Sequence, residues 1–301
     1  MNVQGTLNAP LSPFITDEPD DGIKTNLVIN FTSSEMNTTA GETFLLIEPN
    51  PKMQLVIGKF IRPYGLLSDE HRTFIRMQTK TSSLDYESGI GLAHQVFDTW
   101  HFDLAYTNNS TPSTRFQNEP TWGTVFNLRW TPYFMPVMLG TSMSHTIRPA
   151  KKDSYAQSLY GGFSFDRATN YTVPVTITFE ASKAQGWNGE MTPYSSYFFD
   201  ATADAAYYNS IINKKSLGFY SQVLWNIKPH IALLYKFDQL LLDEKYPADA
   251  FERHGIGTNW NMNSNLIFQV RMERAKNGRK DVSQAQRSAV DAFYFLIRAW
   301  M

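Results

Sequence analysis

The chain of 301 residues contains no cysteine. Thiol catalysis, thiolate metal sites and a disulfide framework are therefore absent from it. It also has no apolar run near the roughly 18 residues of a membrane helix, and its mean hydropathy is -0.34. A bundle of membrane helices is excluded. Charge is sparse and balanced, with 27 Lys+Arg against 28 Asp+Glu. Nucleic-acid binders usually carry a basic field, so no nucleic-acid partner is expected. Gly-x-Ser-x-Gly, His-Glu-x-x-His and phosphate-loop motifs are all missing from the sequence. The six histidines are scattered. No catalytic residue, metal or cofactor is assigned, and the expectation is a protein that is not an enzyme. Met1-Asn2-Val3-Gln4 has neither the basic start nor the apolar stretch of a secretory signal. A cytosolic protein and a chain whose signal has been removed are the competing readings, and the strand pattern decides for the second.

What the chain does have is aromatic residues, 21 Phe, 15 Tyr and 7 Trp, which require burial or an apolar medium. Residues 1–23 are rich in Pro and Asp and read as an extended N-terminal arm. From Lys24 onward apolar residues recur at every second position, the period of a strand with two unlike faces. Trp100, Phe102, Leu104 and Tyr106 alternate with His101, Asp103 and Ala105. Trp122, Phe126, Leu128 and Trp130 share one face, opposite Gly123, Asn127 and Arg129. Leu266, Phe268, Val270 and Met272 oppose Gln269, Arg271 and Glu273. The segments predict strands at 24–33, 42–49, 54–61, 87–96, 99–107, 121–131, 136–146, 155–166, 172–183, 215–227, 230–242, 252–262, 265–275 and 289–301. Most run about 9–12 residues, longer than the usual five or six of globular sheets. That length suits a tilted strand crossing a bilayer. No ordinary helix is predicted, although 201–212 can form a short one within a loop.

The connections alternate in length. Short ones fall at 50–53, 97–98, 132–135, 167–171, 228–229 and 263–264. Longer ones fall at 34–41, 62–86, 108–120, 147–154, 184–214, 243–251 and 276–288. Short turns at one end and long loops at the other are the asymmetry of outer-membrane barrels. Trp100, Trp130, Trp225, Trp260 and Trp300 sit at the short-turn end, as a membrane-interface girdle would. A spanning sheet must close, because backbone polar groups cannot stay unpaired in lipid. The expected fold is thus all-β: a transmembrane antiparallel up-and-down barrel of about fourteen strands (range 12 to 16) over 24–301, with short periplasmic turns and long extracellular loops. An even count puts both termini on the periplasmic side. The last strand alternates through Phe293, Phe295, Ile297, Ala299 and Met301, and so resembles the C-terminal signature of bacterial outer-membrane proteins.

On these residues the chain resembles a bacterial outer-membrane porin. The stretch Gly58-Lys59-Phe60-Ile61-Arg62-Pro63-Tyr64-Gly65-Leu66 is more specific. It is similar to the Gly-Lys-Phe-x-x-Pro-aromatic-Gly segment of porin-like proteins, including phosphate-selective-type porins and porin-like barrels encoded with multihaem cytochromes. The chain has no Cys-x-x-Cys-His, so it cannot hold c-type haem itself. The resemblance implies a bacterial outer-membrane channel for passive diffusion of small hydrophilic solutes, with outer-membrane lipid around it.

Loop 62–86 carries Arg62, Asp69, Glu70, His71, Arg72 and Arg76. In porins a long loop folded into the lumen narrows the pore, and opposed charges there select solutes. These six residues are the candidate constriction; a solvated outer loop is the other reading. Alternation puts Asp103, Arg129, Glu180, Lys236, Asp238, Arg271, Glu273 and Arg298 on the lumen wall. Both signs occur, so strong ion selectivity does not follow. Two other functions fit the composition. One is a scaffold barrel holding a lipoprotein, cytochrome or export partner, docked at the aromatic loop 184–214 through Tyr194, Tyr197, Phe198, Phe199, Tyr207 and Tyr208. The other is a soluble β-sandwich binding module.

Overall fold

Alternation of apolar and polar side chains takes the chain into strands almost throughout. The structure is a computed structural model that describes residues 3–10, 24–33, 38–66, 73–79, 81, 86–108, 121–147, 153–169, 173–186, 213–245, 250–263, 266–278 and 290–299. Among them are fifteen strands. In chain order they are β1 (Val3–Pro10), β2 (Lys24–Ser33), β3 (Thr38–Asn50), β4 (Met53–Ile61), β5 (Tyr86–Val96), β6 (Trp100–Asn108), β7 (Trp122–Trp130), β8 (Val137–Ile147), β9 (Ser154–Ser164), β10 (Val175–Gln185), β11 (Lys215–Lys228), β12 (Ile231–Leu241), β13 (Phe251–Asn263), β14 (Leu266–Asn277) and β15 (Val290–Ala299). Two short helices, α1 (Phe74–Thr79) and α2 (Phe165–Ala168), complete the described elements.

The strand order in the sheet is the order in the chain, β1 to β15. The ladders from β1–β2 to β6–β7 and from β10–β11 to β14–β15 are antiparallel. A sandwich splits its strands between two sheets, so this single up-and-down sheet displaces the β-sandwich alternative. Thirteen of the fourteen expected strands match β2–β14 within a few residues, and β15 ends at Ala299 where the described residues stop. The additional strand lies in the stretch expected as an arm: Val3–Pro10 pairs with β2, Val3 opposite Ser33 and Pro10 opposite Asn26. Among the described residues the count is fifteen, one more than expected. The sequence signal of β1 is weak because Gly5, Asn8 and Pro10 interrupt the apolar alternation. The possible helix at 201–212 and the aromatic loop residues Tyr194 to Tyr208 lie outside the described residues.

The chain divides into two compact units. The first comprises Met1–His71, Thr81–Trp130 and Thr141–Tyr155. Within it the two faces of β6–β8 differ sharply. Leu104, Tyr106, Trp122, Phe126, Met143 and Ile147 are exposed, while Thr107, Asn127, Ser142, Ser144 and Thr146 are buried. The second comprises Arg72–Lys80, Thr131–Gly140 and Ala156–Met301. There Leu159, Phe219, Leu233, Ile256, Met272 and Phe293 are exposed, and Ser158, Glu180, Ser216, Lys236, Asp238, Arg253 and Glu273 are buried. A water-soluble sheet buries its apolar face. This one does the reverse, so the medium outside its apolar face is itself apolar. No helix among the described residues is long and apolar enough to cross a membrane; the strands carry the apolar surface.

At the short-turn end of the outward face stand Trp100, Trp225 and Trp260, each 40–49% exposed. Trp100 packs on Trp130 of the neighbouring strand, ring centroids 6.1 Å apart. Trp100 and Trp130 belong to the first unit and Trp225 and Trp260 to the second; Trp300 lies outside the described residues. Leu104, midway along β6, tests the environment. Leu104→Arg is expected to cost ~2–4 kcal/mol in lipid vesicles, measured by reversible urea unfolding. A soluble sheet would tolerate arginine at this exposed position.

Candidate functional site on the polar face

In the first unit the polar face of β5–β8 receives the segment that follows β4. Arg62 has no exposure and lies 3.1 Å from Glu87 of β5 through Nε. Its Nη1 donates to Ser144 Oγ at 3.4 Å and Thr146 Oγ1 at 3.5 Å. The Thr107 hydroxyl donates to the other Glu87 oxygen. Gly65 N–H donates to Ser142 Oγ at 2.9 Å, the Ser142 hydroxyl to Asn127 Oδ1 at 2.7 Å, and Asn127 Nδ2 to Asp103 Oδ2 at 3.1 Å. Tyr64 and Leu66 are buried beside them. The Gly58–Leu66 stretch singled out in the sequence is thus a mooring, in which charge and backbone groups fasten residues 62–66 to the strand wall. Burying the Arg62 guanidinium demands this degree of satisfaction, because an unpaired buried charge costs several kcal/mol.

In the second unit α1 lies on the polar face of β10–β12. Thr73 caps it, its Oγ1 accepting from Arg76 N–H at 3.3 Å. Three links hold it. Phe74 N–H donates to Asp238 Oδ1 at 3.2 Å. Gln78 Nε2 donates to Ser216 Oγ at 2.8 Å, and the Ser216 hydroxyl passes on to Ala184 O at 3.2 Å. The Arg253 guanidinium stands over the Phe74 ring, 4.7 Å from its centroid. Gly218 of β11 makes the seat. A Cβ there would fall 2.8 Å from Ile75 Cγ1 and 2.7 Å from Gln78 Oε1. Only glycine lets α1 approach so closely.

Beneath α1 lies a buried quartet of two bases and two acids. Lys236 pairs with Glu273, and Arg253 with Asp238. Arg253 Nη1 also lies 3.6 Å from Glu273 Oε2. The ladder explains the geometry. Gly255 stands between Lys236 and Glu273 in register, and a Cβ on it would lie 2.8 Å from Lys236 Cγ and Cε. The lysine stem crosses the missing side chain to reach its carboxylate. Gly255→Val is expected to expel that stem at a cost of about 3–5 kcal/mol, read as a lower urea midpoint. A midpoint equal to the parent's would refute the crossing.

The sequence reading placed eight residues on one polar wall. In the second unit Glu180, Lys236, Asp238 and Glu273 are buried and Arg271 is half-buried; in the first, Asp103 and Arg129 are half-buried. Arg298 pairs with Ile267 in the β14–β15 ladder, and its side chain is outside the described residues. Of the six constriction candidates, Arg62 and Arg76 are both buried, in different units. Asp69, Glu70, His71 and Arg72 lie outside the described residues. The sequence reading missed Glu87, Gln78, Ser216 and Arg253. For Arg253 a signal exists, the small residues Gly255 and Gly257 on its own face; charged residues on both faces of β13 obscure it.

No family model matches the chain, and no curated protein matches its sequence. Solved structures do. An anion-selective porin from Comamonas acidovorans superposes with a TM-score of 0.67 at 8% identity, over 99% of this chain and 89% of that one. The outer-membrane channel DcaP of Acinetobacter baumannii gives 0.63 at 9%, over 98% and 84%. A mutant of the Rh. blastica porin gives 0.57 at 10%, over 99% and 90%. At such identities the likeness is one of fold. The fold of this chain is that of bacterial outer-membrane porins, and its reversed faces suit a sheet that meets lipid.

Proposed function

We propose that the protein is a porin-like channel of a bacterial outer membrane, not an enzyme, passing small hydrophilic solutes by passive diffusion. The observation that carries this reading is the polar face itself. Hydrophilic, hydrogen-bonded side chains line the side of the sheet away from the apolar surface, where a barrel has its lumen. The segment 62–81 narrows the pathway in this reading, since both its moored parts, 62–66 and α1, lie on polar faces. Arg62 then acts by holding the segment down, and neither it nor Arg76 is open to a passing solute. The acids and bases of the quartet cancel one another, so the quartet itself contributes little fixed field.

Purified protein in planar bilayers is expected to give discrete conductance steps. Well-folded protein that gives no channels would defeat the diffusion reading. Liposome swelling with neutral sugars of graded size then reports the width of the pathway.

A further inference from the structure

The polar face of the second unit changes character along its strands. Beneath α1 it is charged and shut: Lys236, Asp238, Arg253 and Glu273 are all buried. Toward the short turns it opens and becomes neutral. Asn226, Ala232, Asn259 and Gln269 follow one another in register across β11–β14. Register partners share a face of the sheet, and the chain neighbours Trp225 and Trp260 stand on the opposite, outward one. Asn226 is exposed, and Asn259 and Gln269 are half-buried. Three strand spacings carry the row over about 14 Å.

Among the described residues no side-chain hydrogen bond engages Asn226, Asn259 or Gln269, whereas the charged groups above them are paired with one another. One step toward α1, about 7 Å along the strands, the next row is Leu224, Leu234, Gly257, Arg271 and Tyr294. Gly257 makes a dip in it. A Cβ there would lie 3.3 Å from Arg271 Cγ, so the arginine stem lies over the glycine. Arg271 Nη1 is 3.8 Å from Glu273 Oε1, which balances its charge. Leu224 and the Arg271 stem, both half-buried, thus set aliphatic surface beside the amides. All the residues named belong to the second unit.

We propose that this open part of the polar face binds a neutral saccharide of two or more rings. Its hydroxyls are held by Asn226, Asn259 and Gln269, and its C–H surface rests on Leu224 and the Arg271 stem. A sugar hydroxyl both donates and accepts, and so does an amide side chain. Among the described residues these two rows carry no acid, and their one base, Arg271, faces Glu273, so an ion gains little field there. The amides stand on three strands, which favours a chain of rings over a single one. The site rests on the channel reading above and deepens it by naming the solute class.

The test titrates the whole protein in mild detergent with maltose, sucrose and lactose, and with lactobionate as a charged comparator, reading binding by saturation-transfer difference NMR. At least one disaccharide should bind saturably and more tightly than lactobionate. N259A/Q269A should weaken it about fivefold per amide removed. N226A, at an exposed position where the fold is least at risk, should weaken it about fivefold as well. T258A, on the opposite face of β13, should leave it unchanged. Equal binding by the parent and both amide variants, tighter binding of lactobionate, or no saturable binding of any of the three disaccharides would overturn the proposal. Normal channels in planar bilayers with no disaccharide bound would defeat this site alone. Disaccharide binding by a protein that forms no channel would sink the function proposed above and leave the site standing.

Discussion

Arg62→Met is expected to destabilise the protein by ~3–5 kcal/mol, because it strands the Glu87 carboxylate in a buried site. Glu87 is 3% exposed and Arg62 is fully enclosed, so water cannot replace the lost partner. The Thr107 hydroxyl still donates to Glu87, but one neutral donor, worth about 1 kcal/mol net, does not offset a buried charge. Glu87→Gln in the Arg62→Met background is expected to recover much of the loss, since the second change removes the orphaned charge. Urea titration in lipid vesicles measures all four corners of the cycle. Additive single losses, with no recovery in the double variant, would show that the pair contributes nothing as a pair.

Gly218→Leu should produce the largest functional change. The new side chain would occupy the space of Ile75 Cγ1 and Gln78 Oε1, and overpacking of this kind costs about 1–3 kcal/mol. The strand is held by full ladders to β10 and β12, whereas α1 is a helix of six residues. A helix so short has no stability of its own, so the helix yields and the strand stays. Single-channel conductance is expected to rise, with larger sugars entering in liposome swelling. Gln78→Ala provides an independent arm, because it removes the donor to Ser216 without filling the seat. Unchanged conductance in both variants would place α1 clear of the solute pathway.

Much of this is legible in the sequence. The period-2 pattern identified nearly every strand because each carries large apolar side chains on one face and small or polar ones on the other. The same alternation put Lys236, Asp238 and Glu273 on a common face, and they are together there in the structure. It could not show that they are shut away from solvent. Burial depends on what is laid over the wall, and α1 comes from a segment far away in sequence. The helix itself went unread because six residues are too few to display a 3.6 period. Phe74, Ile75 and Gln78 owe their place to Gly218, and no local sequence signal records that. β1 was missed for a plainer reason, since it lacks consistent apolar alternation.

Folding order follows from how far each partner lies along the chain. The hairpins of the meander join neighbours, and strand pairing can spread from one to the next. The helix that sits on β10–β12 is different: Phe74 reaches Asp238 across 164 residues, and Gln78 reaches Ser216 across 138. Closing so long a loop is entropically costly until the receiving strands exist. The helix is made early in synthesis and docks late, once β12 has joined β11. Its seating is therefore a marker of completed assembly. Protease protection of residues 73–79 should lag behind the appearance of sheet signal during refolding into vesicles.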